Sequence, residues 1–586
     1  MTSHQDVSTF QRRARGRHAV TSQPDSVQPD SVQPGEAAVA QASLVDLPAH
    51  TTTTAAVAEH TSAPRRGVLR LLHPLTAILA VQAALSLTLI WSNTAFTDEA
   101  DYLWIGRLVL GNWLHGRSWP TSYGEKILPG SPLVYPPIGG LADAIGGLAG
   151  ARIASLLFML GATVLLYAAA SKLVGRIAAT FGAAIWVLTE PVIRLAFATA
   201  EPLSIFLVAL AAWLIVQAGE RRRHGEFVAA AAAALALANV AAYTGTAIDP
   251  VLIALAFLVW LPRLGASQAA SSTAWFAGAW TVFLFVLLTF SRSWTGFTAA
   301  VAGASASVHQ DQVLVLTDIW TYSGLVVLLG LIGAVVAGGA HDRRLTWLVA
   351  VLAGAALIVP AVQLLSQSAN LLDRRVGYGL WFAAIAAGYG CAKLVRWLPA
   401  AGRPLTVAAC VIVAGYLGLA AWQSATGVYH GWPNSKAFVA SFTRASAQAN
   451  GLLFAANQEH VAQYYTKAGD DWTRWSSGGL SLDPPAKPTV AYYTRLLGRG
   501  NFGVVALFYS TSFNAANLPV GLLTSAGSSS RLWQVLSSAS VPGEPGLSAL
   551  TEALRGDPAY LLAGSGPYDS ANNHGIYLIW RKEVAK

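Results

Sequence analysis

Apolar runs of roughly twenty residues recur along this chain with scarcely a charge inside them; LLHPLTAILAVQAALSLTLIW from Leu71 and IASLLFMLGATVLLYAAA from Ile153 are two. A helix rising about 1.5 Å per residue crosses a hydrocarbon layer about 30 Å thick with such a run. Lipid offers no partner to a peptide N–H or carbonyl, so each run must satisfy its backbone internally, as helix. Composition agrees: 54% of the 586 residues are hydrophobic and 11% are charged, against about 25% charged in a soluble domain. A soluble enzyme is excluded, and a multi-span membrane protein is indicated. The net charge of +9 does not mark a nucleic-acid binder. The basic residues sit in small clusters between the runs, such as Arg221, Arg222 and Arg223, as the positive-inside rule expects. The two cysteines, Cys391 and Cys410, both fall inside apolar runs, which implies neither a disulfide framework nor a zinc site.

The pattern predicts eleven spans, near 71–92, 151–171, 177–192, 199–218, 227–245, 248–262, 274–290, 320–340, 345–365, 377–397 and 404–422. With the Arg-rich start in the cytoplasm, the basic loops alternate correctly: Lys172 and Arg176, then Arg221 to Arg223, Arg263, Arg343 with Arg344, and Lys393, Arg396 and Arg403 all fall inside. Residues 1–66 are rich in Ser, Thr, Gln, Pro and Ala and repeat QPDSV at Gln23 and Gln28. Such a segment cannot bury enough apolar surface to fold and reads as a disordered cytoplasmic tail. Residues 67–422 form the membrane module, with a long first outer loop over 93–150. From about 423 to 586 the composition turns water-soluble. Strand-like runs GLLFAAN (Gly451), PTVAYYT (Pro488), GVVALFYS (Gly503) and GIYLIWR (Gly575), with helical segments between them, predict a small extracytoplasmic α/β domain.

The few remaining charges carry the chemistry. Asp98, Glu99 and Asp101 crowd together just after the first span, in TDEADYLWIGRLVLGNW. If Asp98 to Trp113 is a helix along the interface, Tyr102, Ile105 and Val109 form its apolar stripe. Asp98, Asp101 and Arg107 then face a cavity. The same acids also suit the start of a helix, where they complement its dipole. Glu201 opens the fourth span, close to Glu190 and Arg194. Asp373, Arg374 and Arg375 open the tenth, where arginines run against the positive-inside pattern and call for an anionic partner, either a lipid phosphate or the neighbouring carboxylate. Acids and cations thus gather on one side of the membrane. Transfer of a sugar from a lipid phosphate needs such a set, with a base for the acceptor hydroxyl and cations for the departing phosphate. No Walker motif, HExxH or GxSxG is present.

These residues resemble the polytopic GT-C glycosyltransferases, in particular the family 39 group of protein O-mannosyltransferases and lipid A aminoarabinose transferases. The likeness covers roughly residues 70 to 580. It lies in Asp-Glu-x-x-Tyr after the first span (Asp98, Glu99, Tyr102), Pro136-Pro137 later in the same loop, Glu201 leading the fourth span, Asp373-Arg374 opening a late span, and an α/β tail. The resemblance implies inverting transfer from a polyprenyl-phosphate sugar outside the cytoplasm. It implies Asp98 as base, with Glu99 orienting it or staying structural. Asp101, Tyr102, Glu201, Asp373, Arg374 and Arg375 are the implied substrate and phosphate contacts. Tyr135 stands where some members carry a phosphate-binding Lys before the Pro-Pro pair, so that task passes to Arg374 and Arg375, with Lys126 a weaker candidate. In the tail, Tyr464, Tyr465, Trp472 and Trp475 read as a sugar-stacking surface or as ordinary core.

The expectation is a glycosyltransferase whose partners are a lipid-linked donor, a glycan, lipid or protein acceptor, and membrane lipids. Clustered carboxylates permit a divalent metal, but no spacing demands one. A transporter or flippase of lipid-linked saccharides would instead carry charges in mid-span and repeated halves. A non-catalytic glycan-binding scaffold would show no turnover.

Overall fold

The computed structural model describes residues 65–586 apart from 93, 221–223, 304–310, 340–341, 367–370, 398–402, 432–433, 457, 467–470, 476–479, 481–488, 511–544, 571–572 and 584–586. The tail and its repeat, and Arg221 to Arg223, lie outside the described residues.

Helix α1 (Arg65–Ile90) leads into α2 (Thr97–His115) and the short α3 (Thr121–Ile127). Then come α4 (Tyr135–Leu173), α5 (Arg176–Val187), α6 (Glu190–Arg194), α7 (Glu201–Glu220) and α8 (His224–Ala241). A 3-10 turn over Tyr243–Ile248 precedes α9 (Asp249–Phe290), α10 (Trp294–Gly303), α11 (Gln312–Gly338), α12 (Arg343–Leu365), the one-turn α13 (Leu372–Arg375), α14 (Gly377–Trp397) and α15 (Arg403–Gly431). Among the described residues, seven helices are long and apolar enough to cross a membrane, the 3-10 turn and α9 counting as one, and two shorter apolar helices accompany them. Each of the eleven expected segments falls on helix.

Glycine marks two breaks. The sixth and seventh expected segments lie on the two halves of α9, which part at Gly265, whose φ of 75° is open to glycine but strained for other residues. Likewise α4 starts at Tyr135, inside the expected outer loop, with prolines at its first helical positions, and bends at Gly146 and Gly147. That loop is thus mostly structured, as α2, α3 and the first turns of α4.

The two ends of the bundle differ chemically. Lys172 at the end of α4 pairs with Glu220 at the end of α7. Arg263 Nη1 donates to the Gly219 carbonyl (3.3 Å) and Arg344 Nε to the Leu258 carbonyl (2.8 Å). Lys172, Arg263 and Arg344, three of the basic residues expected to share one face, therefore meet at one end. Glu201, at the other end of the 20-residue α7, is roughly 30 Å away along the helix axis.

Past α15 the chain forms α16 (Lys436–Ala447), β1 (Leu452–Ala455), α17 (Glu459–Tyr465), α18 (Val490–Gly500), β2 (Phe502–Ser510), α19 (Pro545–Gly556), β3 (Tyr560–Ser570) and β4 (Asn573–Lys582). The sheet order is β1-β2-β4-β3, with β1 parallel to β2 and the other pairs antiparallel. Alternation along β2 builds two cores: Val504, Ala506 and Phe508 meet α16, while Val505, Leu507 and Tyr509 meet α18 and α19. One expected strand is wrong. PTVAYYT enters helix α18, because Tyr493 and Leu497 make a buried stripe four residues apart and the Thr489 hydroxyl caps the Tyr492 N–H (3.2 Å). Helix α15 also runs on to Gly431, past the expected domain start at 423.

Candidate active site

Helix α2 builds the site. Its residues Tyr102, Ile105 and Val109 are buried as the stripe predicts, but so are Leu103, Trp104 and Leu108. It is therefore not an interface helix with one apolar face. It is a wedge packed between α4 and α17. Close packing on α4 depends on two glycines: a Cβ on Gly106 would lie 2.1 Å from the Pro136 carbonyl oxygen, and one on Gly140 2.8 Å from the Gly106 carbonyl carbon.

Successive residues of a helix point about 100° apart, so the three acids of α2 part company. Asp98 accepts from Arg374 Nη2 at 2.7 Å, and its side chain is 37% exposed. Glu99 is fully buried. Arg152 Nε and Nη2 donate to its two oxygens at 2.8 and 2.6 Å, and the Ala198 N–H donates to Oε1 at 2.8 Å. The same guanidinium donates to the carbonyls of Leu89, Ile90, Ser92 and Thr94, tying the end of α1 to α2 and α4. Both oxygens of Glu99 are thus engaged in structural bonds. Asp101 is also buried. Its Oδ1 lies 2.6 Å from His460 Nδ1 on α17.

Around Asp98 the expected cations gather. Arg374 is held over the Phe96 ring at 5.1 Å, and Asp373 pairs with Arg194 Nη1 at 3.3 Å. Burial works against the Arg374 charge, but Glu201, Asp98 and Asp373 outweigh it and hold the group above its ordinary pKa. Arg375 is pulled below its ordinary value by burial, with Glu201 working the other way. Glu201 is buried, and its Oε2 finds no hydrogen-bond partner among the described residues. The Tyr102 hydroxyl is likewise buried without one, and its pKa is pushed well up by burial and by the Glu201 and Asp98 carboxylates. Asp98, Tyr102, Glu201, Asp373, Arg374 and Arg375 therefore share one electrostatic neighbourhood, with Tyr378 of α14 beside them. Glu99 and Asp101 are spent elsewhere.

The tail aromatics are also committed. The Tyr464 hydroxyl donates to Asp143 Oδ1 (2.6 Å), the Tyr465 hydroxyl accepts from the Ala95 N–H (2.8 Å), and Trp472 Nε1 donates to the Ser118 carbonyl (3.1 Å). Trp475 stacks on Phe442 in the core. These residues join the sheet domain to the membrane module or fill its interior, with Tyr465 and Trp472 staying partly exposed. The Lys126 side chain lies outside the described residues. Sequence reasoning passed over Arg152, Asp143 and His460. Arg152 carried a readable signal, a single charge at the head of an apolar run. The other two carried none, because their partners are distant in the chain. Among the described residues no cluster of three or more His, Cys, Asp or Glu side chains is arranged to hold a metal ion.

No family model and no curated protein matches the chain by sequence. Solved structures do match. The Archaeoglobus fulgidus oligosaccharyltransferase in its apo form aligns at 12% identity over 75% of this chain and 69% of its own, with a TM-score of 0.53. The oligosaccharyltransferase AglB of the same organism, in complex with an inhibitory peptide and a dolichol-phosphate, aligns at 11% identity over the same shares with a TM-score of 0.51. ArnT from Cupriavidus metallidurans bound to undecaprenyl phosphate aligns at 13% identity over 88% of this chain and 98% of its own, with a TM-score of 0.47. At such identities the likeness is one of fold, carried by the two matches above 0.5. The chain shares the GT-C fold of these oligosaccharyltransferase structures.

Proposed function

We propose that the protein transfers a sugar, with inversion, from a polyprenyl-phosphate donor to an acceptor at the extracytoplasmic face of the membrane, as a transferase of the family 39 kind. The observation that carries this reading is the half-exposed Asp98 carboxylate paired with Arg374, beside Arg375 and Glu201, at the end of a GT-C bundle remote from its basic loops. The matched oligosaccharyltransferase in complex with a dolichol-phosphate supports a lipid-phosphate donor.

Asp98 and Arg374 hold each other before substrate enters. A donor phosphate draws the Arg374 guanidinium, and Arg375 with it, into charge-assisted hydrogen bonds. Asp98 loses its partner as this happens and is left an uncompensated base beside the acceptor hydroxyl. The acceptor oxygen attacks the anomeric carbon as its proton passes to Asp98. The bond from that carbon to the phosphate oxygen breaks, and the departing phosphate keeps the electron pair under the two arginines. Glu201, with Tyr102, orients the sugar and offers a carboxylate oxygen to its hydroxyls. Asp373, fixed by Arg194, sets the position of α13.

The test is transfer from a panel of undecaprenyl-phosphate-linked pentoses and hexoses by purified protein in lipid, followed by release of undecaprenyl phosphate. Asp98→Asn is expected to lower turnover by about 10²-fold or more while the protein still inserts. Wild-type turnover in Asp98→Asn would overturn the assignment of the base. Absence of turnover with every donor would return the chain to the flippase or scaffold classes.

A further inference from the structure

Several polar residues that the transfer step leaves unused fall on one seam, between α2 and α17. Asp101 lies one turn from Asp98 on α2, and its carboxylate meets His460 Nδ1 at 2.6 Å. Two turns further along, Arg107 Nε and Nη2 reach Asp143 Oδ2 of α4 at 3.0 and 2.9 Å, and Nη1 donates to the Tyr464 carbonyl of α17 at 2.7 Å. Its guanidinium also lies over the Tyr464 ring at 4.4 Å, and the Tyr464 hydroxyl closes the circle on Asp143 Oδ1. At the head of α2, the Tyr465 hydroxyl holds the Ala95 N–H and the Thr94 hydroxyl accepts from the Ser435 N–H at 3.0 Å. A seven-residue helix of the sheet domain is thus bound at two heights to the helix that carries Asp98 and at a third to the segment just before it.

Such a set costs too much in desolvation to be incidental. A buried carboxylate beside a partly buried imidazole is maintained only where both groups are paired. Surface packing of two domains would be served as well by apolar side chains. What the polar pairs add is direction: they admit one rotation and one axial position of α2, and therefore one aim for the Asp98 carboxylate, three residues before Asp101.

We infer that the C-terminal domain is a positioning element of the transfer site, with His460 the positioning residue that orients the Asp98 helix through Asp101. His460 touches neither donor nor acceptor and works through α2. The inference rests on the transferase reading given above for Asp98. It also gives the sheet domain a task that does not require it to bind substrate.

The experiment uses the full chain in lipid, with the same undecaprenyl-phosphate-linked sugars and hydrogen exchange of the α2 amides measured in parallel. His460→Ala is expected to lower kcat by about tenfold or more, since a misplacement near 1 Å costs on the order of 10²-fold, with donor KM within about twofold of wild type. Exchange over residues 97–115 rises, while that over α7 and α14 stays. His460→Gln, whose amide N–H still reaches Asp101, recovers part of the loss. Asp101→Asn combined with His460→Ala is no worse than the worse single change, because both act through one contact. Wild-type kcat in His460→Ala, or a loss with α2 exchange unchanged, overturns the inference. Where His460→Ala does not insert, His460→Gln and Asp101→Asn decide by the same two readouts. If the wild-type protein transfers no sugar, the transferase reading fails. The exchange measurement then still decides whether His460 holds α2.

Discussion

Adjacent acids in one motif have opposite occupations. Asp98 is partly open and pairs with Arg374, the cation proposed to meet the donor phosphate. Glu99, one residue on, is sealed against Arg152 with every oxygen engaged. The motif alone could not separate them, since the difference is one step of helix rotation together with a guanidinium that arrives from another helix. Stability and activity should therefore divide between them. Arg152→Met leaves a buried carboxylate unpaired and is expected to cost about 3–5 kcal/mol, read as a drop in the thermal unfolding midpoint of the lipid-embedded protein. Asp98→Asn breaks a partly exposed pair and is expected to cost about 1 kcal/mol or less, while removing turnover. Equal destabilisation by the two changes would mean that Asp98 is structural as well. Arg374→Lys keeps the charge but loses the planar fork. Donor KM should rise about tenfold, the loss of one charge-assisted bond, in a titration of initial rate against donor.

Secondary elements were legible where one physical signal dominated. Apolar length places every long helix of the bundle, because lipid leaves the backbone no alternative. Where two signals compete, the reading fails. Val490 to Tyr493 have strand-forming side chains, yet Leu497 at the next helical position completes a buried face and the segment coils as α18. Strand β3 went unnoticed because YLLAGSGPYDS contains glycines and a proline. An edge strand tolerates them, and β3 is at the edge of its sheet. The site shows the same division. Asp98, Tyr102, Glu201 and the Asp373–Arg375 run stood out as charges or motif residues at span ends, whereas His460 and Asp143 gained meaning only from the fold. The wedge fit of α2 is testable at its narrowest point. Gly106→Val drives a side chain into the Pro136 carbonyl and is expected to destabilise the protein by about 1–3 kcal/mol and to raise hydrogen exchange along α2. An unchanged melt would mean that α2 is free to move off α4.

At the scale of the molecule, charge sorts the ends of the bundle, and the proposed orientation follows from it. In intact cells an impermeant thiol reagent should label Arg444→Cys, on exposed α16, and should label Arg343→Cys only after permeabilisation; the reverse pattern would invert the topology. The seam between domain and membrane also responds to pH. Burial presses the His460 imidazolium down, but Asp101 and Glu459 beside it more than offset this, so its pKa is raised above the ordinary 6.5. A raised histidine contributes stability that is complete below about 6.5 and is lost as pH climbs through the raised value. Exchange along α2 should therefore increase over that alkaline range, and the increase should be absent in His460→Gln. Finally, Asp98 and Arg374 are separated by 276 residues of chain, and α1 packs against α15, the last helix of the bundle. At a synthesis rate of about 5–20 residues per second, Asp98 emerges roughly 14–55 seconds before its cation exists. The first helix likewise waits in the bilayer for a neighbour not yet made. A nascent or prematurely terminated chain thus carries the proposed base without the cation proposed to bind phosphate, and the proposed site is complete only as the final helices are laid in.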